Sequence, residues 1–313
     1  MQNNKNRKKT TSVSIFTIIL VLITFIYSTF TEEINTSFGL PNNQTTTTTE
    51  ANSSLSNNIS NVEVSFLDVG QADSILISSN DEYMLIDAGN NSDGPLLVKY
   101  FQNLGIQEFK YVVGTHPHED HIGGLDDIIN SFNIDKIYLP DAITTTKTFE
   151  DVLDAIDNKN KTYTVPKIDS TFNLGNATFK VIYTGTDTSD LNNTSIVLKM
   201  TYKNISFLFT GDTTSKNEQK ILNKDIKSTV LKVGHHGSKY STSSAFLDKV
   251  NPKYAIIEVG QNNIYKHPSE GTLTKLKKRN ITTYRTDESG SIIAKTDGNS
   301  IKFTTKRTNT NGG

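Results

Sequence analysis

Short apolar runs that each end in a histidine or a carboxylate set the tightest limit on what this chain can become. Phe109–Val113 leads into Thr115–Gly124, THPHEDHIGG, and Phe207–Phe209 leads into Thr-Gly-Asp at 210–212. Val230–Val233 leads into Gly-His-His at 234–236, and the run 254–260 precedes His267. The chain has 313 residues and six histidines, and all six fall after such runs. Strands that deliver ligating side chains at their carboxyl ends are how α/β folds build sites. A scattered set of surface histidines would not follow this rule.

Strand and helix alternate along the same region. From Val62 the β-rich runs VEVSFLDVG, SILISS and YMLIDAG are separated by Gly, Asn and Asp, the punctuation of strands and turns. Leu96, Leu97, Tyr100, Phe101 and Leu104 recur at helical spacing before Gly105, which predicts a helix closed by that glycine. The strand FKYVVGT, the helix LDDIINSF, the strand KIYLP and the helix FEDVLDAIDNKN follow. A second series runs through TFKVIYT, SIVLKMTY and ISFLFTGD, then a short helix near SKNEQKILN. It continues with TVLKVGHHGS, the helix SSAFLDKV, YAIIEVG and the helix GTLTKLKKRN, and closes on the strands TTYRTD and SIIAKT. Two β-rich, helix-covered halves of comparable content predict one layered α/β domain over 62–307, with a tail at 308–313.

The N-terminus predicts a different environment. Residues 1–12 include Lys5, Arg7, Lys8 and Lys9, and 13–31 is an uncharged apolar stretch followed by Glu32 and Glu33. About 20 apolar residues span a bilayer, so 13–31 reads as a transmembrane helix. The basic flank places the start inside and the remainder outside. A cleaved signal segment, with secretion, is the competing reading. Residues 32–61 are rich in Asn, Thr and Ser and read as a flexible tether.

Composition narrows the chemistry. The chain has no cysteine, so disulfides, thiolate metal sites and cysteine nucleophiles are excluded. Formal net charge is −1, so no global field draws the protein onto a polyanion, and an anionic substrate needs local cations. No protein partner can be read from the sequence. In HPHEDH, His116 and His118 are spaced so that both rings can face one ion, while Asp120 and His121 can turn to a second. Asp212 closes an apolar strand and can bridge two cations. His235, His236 and His267 extend the same donor chemistry.

These residues carry a resemblance. THPHEDHIGG matches the H-x-H-x-D-H signature of the metallo-β-lactamase superfamily. The succession FLDVGQADSILI, LIDAG, NNTSIVLKM, FLFTGD, VLKVGHHGSKYSTSSAFL and YRTDESG resembles the extracytoplasmic hydrolase domain of ComEC/Rec2-type competence proteins, across essentially Val62–Lys306. The resemblance implies an αβ/βα four-layer sandwich holding two divalent metal ions, zinc or manganese, and hydrolysis of phosphodiesters, with DNA the usual substrate. Related extracellular members act on teichoic-acid phosphocholine. It implies that His116 and His118 hold a first metal, that Asp120, His121 and His236 hold a second, and that Asp212 bridges them. Asp120 would also serve the attacking water and His235 the substrate phosphate or leaving group. Asp87 would support the histidine loop from behind, with Asp68 in a similar supporting role.

His267, Asn193, Ser238 and Lys239 are candidate substrate or peripheral contacts, as is Lys266, although solvated surface is the plainer reading of both lysines. Two departures from the family pattern stand out. Asn193, beside Asn192, occupies the place of a histidine that many members supply to the first metal, which favours a harder ion such as manganese. Ala72 replaces a usual glycine, at a cost of about 1 kcal/mol if that position has positive φ. Two other readings accompany the nuclease. One is an enzyme acting on a cell-envelope phosphodiester, teichoic acid or a phosphocholine headgroup. The other is a metal-stabilised binding module without turnover.

Overall fold

The computed structural model describes residues 61–306. The basic tail 1–12, the apolar segment 13–31, nearly all of the tether 32–61 and the tail 308–313 lie outside the described residues. Among the described residues, no helix is long and apolar enough to cross a membrane.

Among the described residues, fifteen strands form two sheets. The first contains β1 (Val62–Phe66), β2 (Ile75–Ser79), β3 (Glu82–Ile86), β4 (Glu108–Val113), β5 (Asn133–Tyr138) and β6 (Tyr163–Thr164), and β14 (Ser291–Thr296) and β15 (Ile301–Lys306) join it beside β1. The second runs β13-β12-β11-β10-β9-β8-β7. Its strands are β7 (Thr171–Leu174), β8 (Ala177–Tyr183), β9 (Val197–Tyr202), β10 (Ile205–Phe209), β11 (Val230–Lys232), β12 (Tyr254–Ile257) and β13 (Thr282–Arg285). In each sheet one half is parallel, β3 to β6 in the first and β10 to β13 in the second. Carboxyl ends of neighbouring strands are therefore brought side by side twice.

Three apolar clusters define the layers. One lies between the sheets and joins Val64, Phe66 and Ile77 to Phe179, Met200 and Phe207. A second packs the first sheet against α1 (Gly94–Asn103), α3 (Leu125–Ser131) and α4 (Lys147–Asn158), where Phe101, Phe109 and Phe132 meet edge-on at 5.2 to 6.3 Å. The third packs the second sheet against α5 (Ser215–Ile221), α6 (Ser244–Val250) and α7 (Glu270–Lys278). This is a layered α/β domain, as the sequence pattern predicts, in the four-layer α/β/β/α form that the resemblance implies.

Local rules explain the helix limits. α1 begins with Pro95 in its first turn, buries Leu97, Tyr100 and Phe101, and is followed by Gly105 at φ +78°, a conformation glycine adopts without strain. Thr146, Ser243 and Ser269 cap α4, α6 and α7 by accepting the main-chain N–H of Phe149, Phe246 and Thr272. Such caps each contribute about 1 kcal/mol.

The two-halves expectation needs one correction. TTYRTD ends the second sheet as β13, but SIIAKT crosses to the first sheet and pairs antiparallel with β1. It brings β15, a strand that the sequence pattern left unread because IKFTTK is half exposed and lacks a continuous apolar run. The concern over Ala72 also dissolves: it is buried and does not have positive φ.

Candidate metal centre

The histidine loop leaves the carboxyl end of β4 and is fixed by main-chain hydrogen bonds before any side chain acts. Gly114 N–H donates to Tyr138, Ala88 N–H to the carbonyl of His121 at 2.7 Å, Asp73 N–H to that of Asp120 and Gly123 N–H to that of Gly89. α2 (Glu119–Ile122) is a single turn within the loop. Ile196 N–H reaches the Thr115 carbonyl from the other sheet, and His235 N–H reaches that of Gly211. His235 and His236 both adopt left-handed backbone, φ +55° and +50°, as does Asp87 at +60°. Such conformations cost about 1–3 kcal/mol each in non-glycine residues and gather where surrounding structure imposes them.

Second partners fix the ring nitrogens. Asp87 is buried and accepts the Thr115 N–H at 2.7 Å and the Thr115 hydroxyl at 2.8 Å. Because that hydroxyl donates to a carboxylate, its oxygen is left to accept from His116 Nδ1, 3.2 Å away, which leaves His116 Nε2 as the unprotonated nitrogen turned into the site. His121 Nδ1 lies 2.8 Å from Asp87 Oδ2, and His236 Nδ1 lies 2.9 Å from the carbonyl of Glu258. Three imidazoles thus have Nδ1 tied and Nε2 presented, the arrangement of metal-ligating histidines with outer partners.

The free atoms converge. Ligand atoms of His116, His121 and Asp212 lie within 4.8 Å of one another, and so do those of Asp120, His121 and His236. His121 Nε2 is 3.3 Å from Asp212 Oδ1, His236 Nε2 is 3.2 Å from Asp120 Oδ2, and His116 Nε2 is 3.0 Å from His118 Nδ1. His121 Nε2 and Asp212 Oδ1 are buried without a hydrogen-bond partner. An imidazole and a carboxylate left orphaned against one another are what a divalent cation satisfies, so the donor set fits the metal ions that the fold family implies.

Electrostatics agree. Burial opposes charge on His121 and His236, but Asp212 and its neighbouring carboxylates outweigh it, lifting His121 well above the usual histidine range and His236 to about 10. Burial and the neighbouring His121 hold His116 well below that range. Asp120 and Asp212 stay below the usual carboxylate range despite burial, because His121 and His236 face them. The pocket demands positive charge, supplied by protons or by metal.

Other expected residues fall in different places. His235 Nε2 is 3.6 Å from Asp212 Oδ2, and the His235 ring stands 5.6 Å from that of His267. Burial, with His235 next, pushes His267 down to about 4. Both line a cavity of about 320 Å³ with His118, Asp120, Asp212 and His236. Asn193 uses both ends of its amide locally, accepting from the Thr214 hydroxyl at 2.6 Å and donating to Asp187; it pins the start of α5 to the loop. Ser238 is buried, its hydroxyl accepting from Tyr240 N–H. Asp68 sits at a turn where its main-chain N–H donates to Ser291 and its carboxylate accepts from Gly70.

Sequence reasoning missed Asp73, Lys232 and Glu258. Asp73 Oδ1 is 3.3 Å from His236 Nδ1. On its other side Asp73 Oδ2 is 2.6 Å from the buried ammonium of Lys232. Burial, followed by Asp73, pushes the Glu258 carboxyl well above its usual range. The available signal was a lone lysine inside the apolar run VLKVG.

Comparisons with known proteins identify the family. The Metallo-beta-lactamase superfamily model matches residues 67–260. ComE operon protein 3 of Bacillus subtilis is 31% identical over 251 residues, covering 74% of this chain and 32% of that protein. Competence protein ComA of Neisseria gonorrhoeae is 28% identical over 233 residues, 73% of this chain and 31% of that protein. The chain thus spans about a third of the length of these relatives. Among solved structures, the metallo-beta-lactamase fold protein YhfI from Bacillus subtilis aligns with a TM-score of 0.51 at 13% identity, covering 72% of this chain and 95% of that one, a likeness of fold.

Proposed function

This chain belongs to the metallo-beta-lactamase superfamily, and from that premise we propose that it is a phosphodiesterase with two divalent metal ions, acting outside the cell membrane on DNA. The observation that carries this reading is the convergence of His116, His121 and Asp212 with Asp120, His121 and His236 at one cavity. Bound divalent metal would supply Lewis acidity to the phosphoryl oxygens and ease deprotonation of water in the cleft.

The chain's own residues do the rest. His116, His118 and Asp212 would hold one ion and Asp120, His121 and His236 the other, with Asp212 shared. Asp120, kept ionised by His121 and His236, accepts the proton of the attacking water. His235, whose side chain is 23% exposed, faces the cavity and supplies a proton to the leaving alkoxide. Asp87 and Glu258 hold the imidazoles so that Nε2 stays aimed inward.

DNA as substrate and an extracytoplasmic site are what the resemblance to competence-type hydrolases implies, and Competence protein ComA is among the matched relatives. These relatives are matched over only about a third of their length, so a cell-envelope phosphodiester is the second reading. The full chain, loaded with zinc or manganese, is expected to cleave bis-p-nitrophenyl phosphate and DNA, and to lose both activities in Asp212→Asn. Release of phosphate or choline from wall polymer, with DNA left intact, would favour the second reading. No turnover with either metal would contradict both.

A further inference from the structure

A second cavity, about 570 Å³, adjoins the metal site, and His235, Tyr265 and His267 line both. Its remaining wall includes Lys239, Tyr240 and Lys266. Tyr240 is 64% exposed and Tyr265 63%. These are unusual places for large aromatic rings, which bury 150–250 Å² when packed, by the usual rough figure. The Tyr265 ring lies 5.8 Å from that of His267 with 25° between their planes. Lys239 Nζ stands 5.0 Å from the centroid of the Tyr240 ring. Two lysines line this cavity against one carboxylate, Glu270, in a protein with a formal net charge of −1.

We propose that this cavity is a binding subsite for single-stranded nucleic acid beside the scissile phosphate, with Tyr240 and Tyr265 as stacking faces for bases and Lys239 and Lys266 as phosphate contacts. The proposal rests on the phosphodiesterase reading of the adjoining metal site and names the substrate class for it. Exposed ring faces interleaved with lysines are the pattern by which single strands are held, because every base offers a face for stacking and every linkage a charge. A duplex hides those faces inside its own stack. A quaternary ammonium headgroup would also seek aromatic rings, but two ammonium groups in the same cavity repel it. A volume of about 570 Å³ falls within the roughly 300–1,000 Å³ of small-ligand sites.

The test uses the full chain in detergent, treated with EDTA to prevent turnover, and fluorescence anisotropy with two labelled strands. One is a thymidine 12-mer; the other has the same phosphates with every base replaced by an abasic unit. The unsubstituted protein is expected to bind the thymidine strand at least about thirtyfold more tightly, since stacking contributes about 1–3 kcal/mol per base at each of two rings. Tyr240→Ala/Tyr265→Ala should bring that ratio to about one, while Tyr240→Phe/Tyr265→Phe should preserve it. Lys239→Ala/Lys266→Ala should weaken both strands together and reduce the salt dependence. Equal affinity for the two strands, a ratio that survives in the alanine pair, or duplex DNA bound as tightly as the single strand would each overturn the proposal. Base preference without hydrolysis of bis-p-nitrophenyl phosphate by the metal-loaded chain would support the subsite and sink the hydrolase reading. Hydrolysis without base preference would do the reverse.

Discussion

Lys232 Nζ lies 2.6 Å from Asp73 Oδ2, and both side chains are 1% exposed. The pair joins β11 of one sheet to the loop between β1 and β2 of the other, directly behind His236. Burial raises Asp73, but Lys232 and then His236 more than reverse it, so its carboxylate stays below the usual range. Glu258 Oε2 is 3.8 Å from the same ammonium. With the Glu258 carboxyl pushed well above its usual range, Asp73 is the carboxylate that Lys232 balances, with His236 on its other side. Removing one partner of such a pair strands the other charge in low dielectric. Lys232→Met is therefore expected to lower unfolding free energy by about 3–5 kcal/mol, read from urea midpoints. The double variant Lys232→Met/Asp73→Asn should recover much of the loss; a single variant with unchanged midpoint would refute the assignment.

Asp87 touches the candidate metal site through His121 and, by way of Thr115, through His116. Asp87→Asn keeps the shape but removes the carboxylate that orients Nδ1. Loss of such an outer partner typically costs about 10–100-fold in metal affinity, so chelator competition should show a drop of that order for the ion on His121. Unchanged affinity would show that the 2.8 Å contact does no orienting.

The histidine loop is packed against backbone. A Cβ on Gly124 would sit 2.5 Å from the Ala88 carbonyl oxygen and 2.7 Å from Gly94 Cα. Gly124→Ala must displace the loop, at about 1–3 kcal/mol for overpacking. A lower thermal midpoint and lower metal content should appear together. Full metal content at an unchanged midpoint would contradict the contact.

Protons and metal compete for His121 and His236. Their pKa values are raised, His236 to about 10, so both are protonated at neutral pH without metal, and binding must release those protons. Affinity accordingly falls as pH falls. An ordinary histidine, at about 6.5, would let the dependence level off above neutrality. Here metal affinity should keep rising, about tenfold per pH unit for each displaced proton, from pH 6 through 8. A plateau above pH 7 in a chelator titration would contradict it.

The sequence was readable where chemistry and pattern coincide. The layered α/β class followed from alternating apolar runs, and HPHEDH with Asp212 and His236 announced a donor set because few residue types serve metals. It was unreadable where a residue's meaning depends on the opposite sheet. Lys232 in VLKVG looks like a strand's solvent-facing position, and only the facing Asp73, 159 residues away, shows it to be buried. Asn193 stands where many family members have a first-metal histidine, and only the folded chain shows that its amide is engaged by Thr214 and Asp187. The edge strands β6, β7 and β15 escaped because exposed edges need no apolar run.

The central claim is that six side chains, His116, His118, Asp120, His121, Asp212 and His236, grip two divalent ions side by side. Metal stoichiometry of the full chain, equilibrated with zinc or manganese and freed of excess, tests it most directly. The account predicts two ions per chain, falling to one or none in Asp212→Asn and His121→Ala. Fewer than one ion in the unsubstituted protein, or two retained after either substitution, would contradict it.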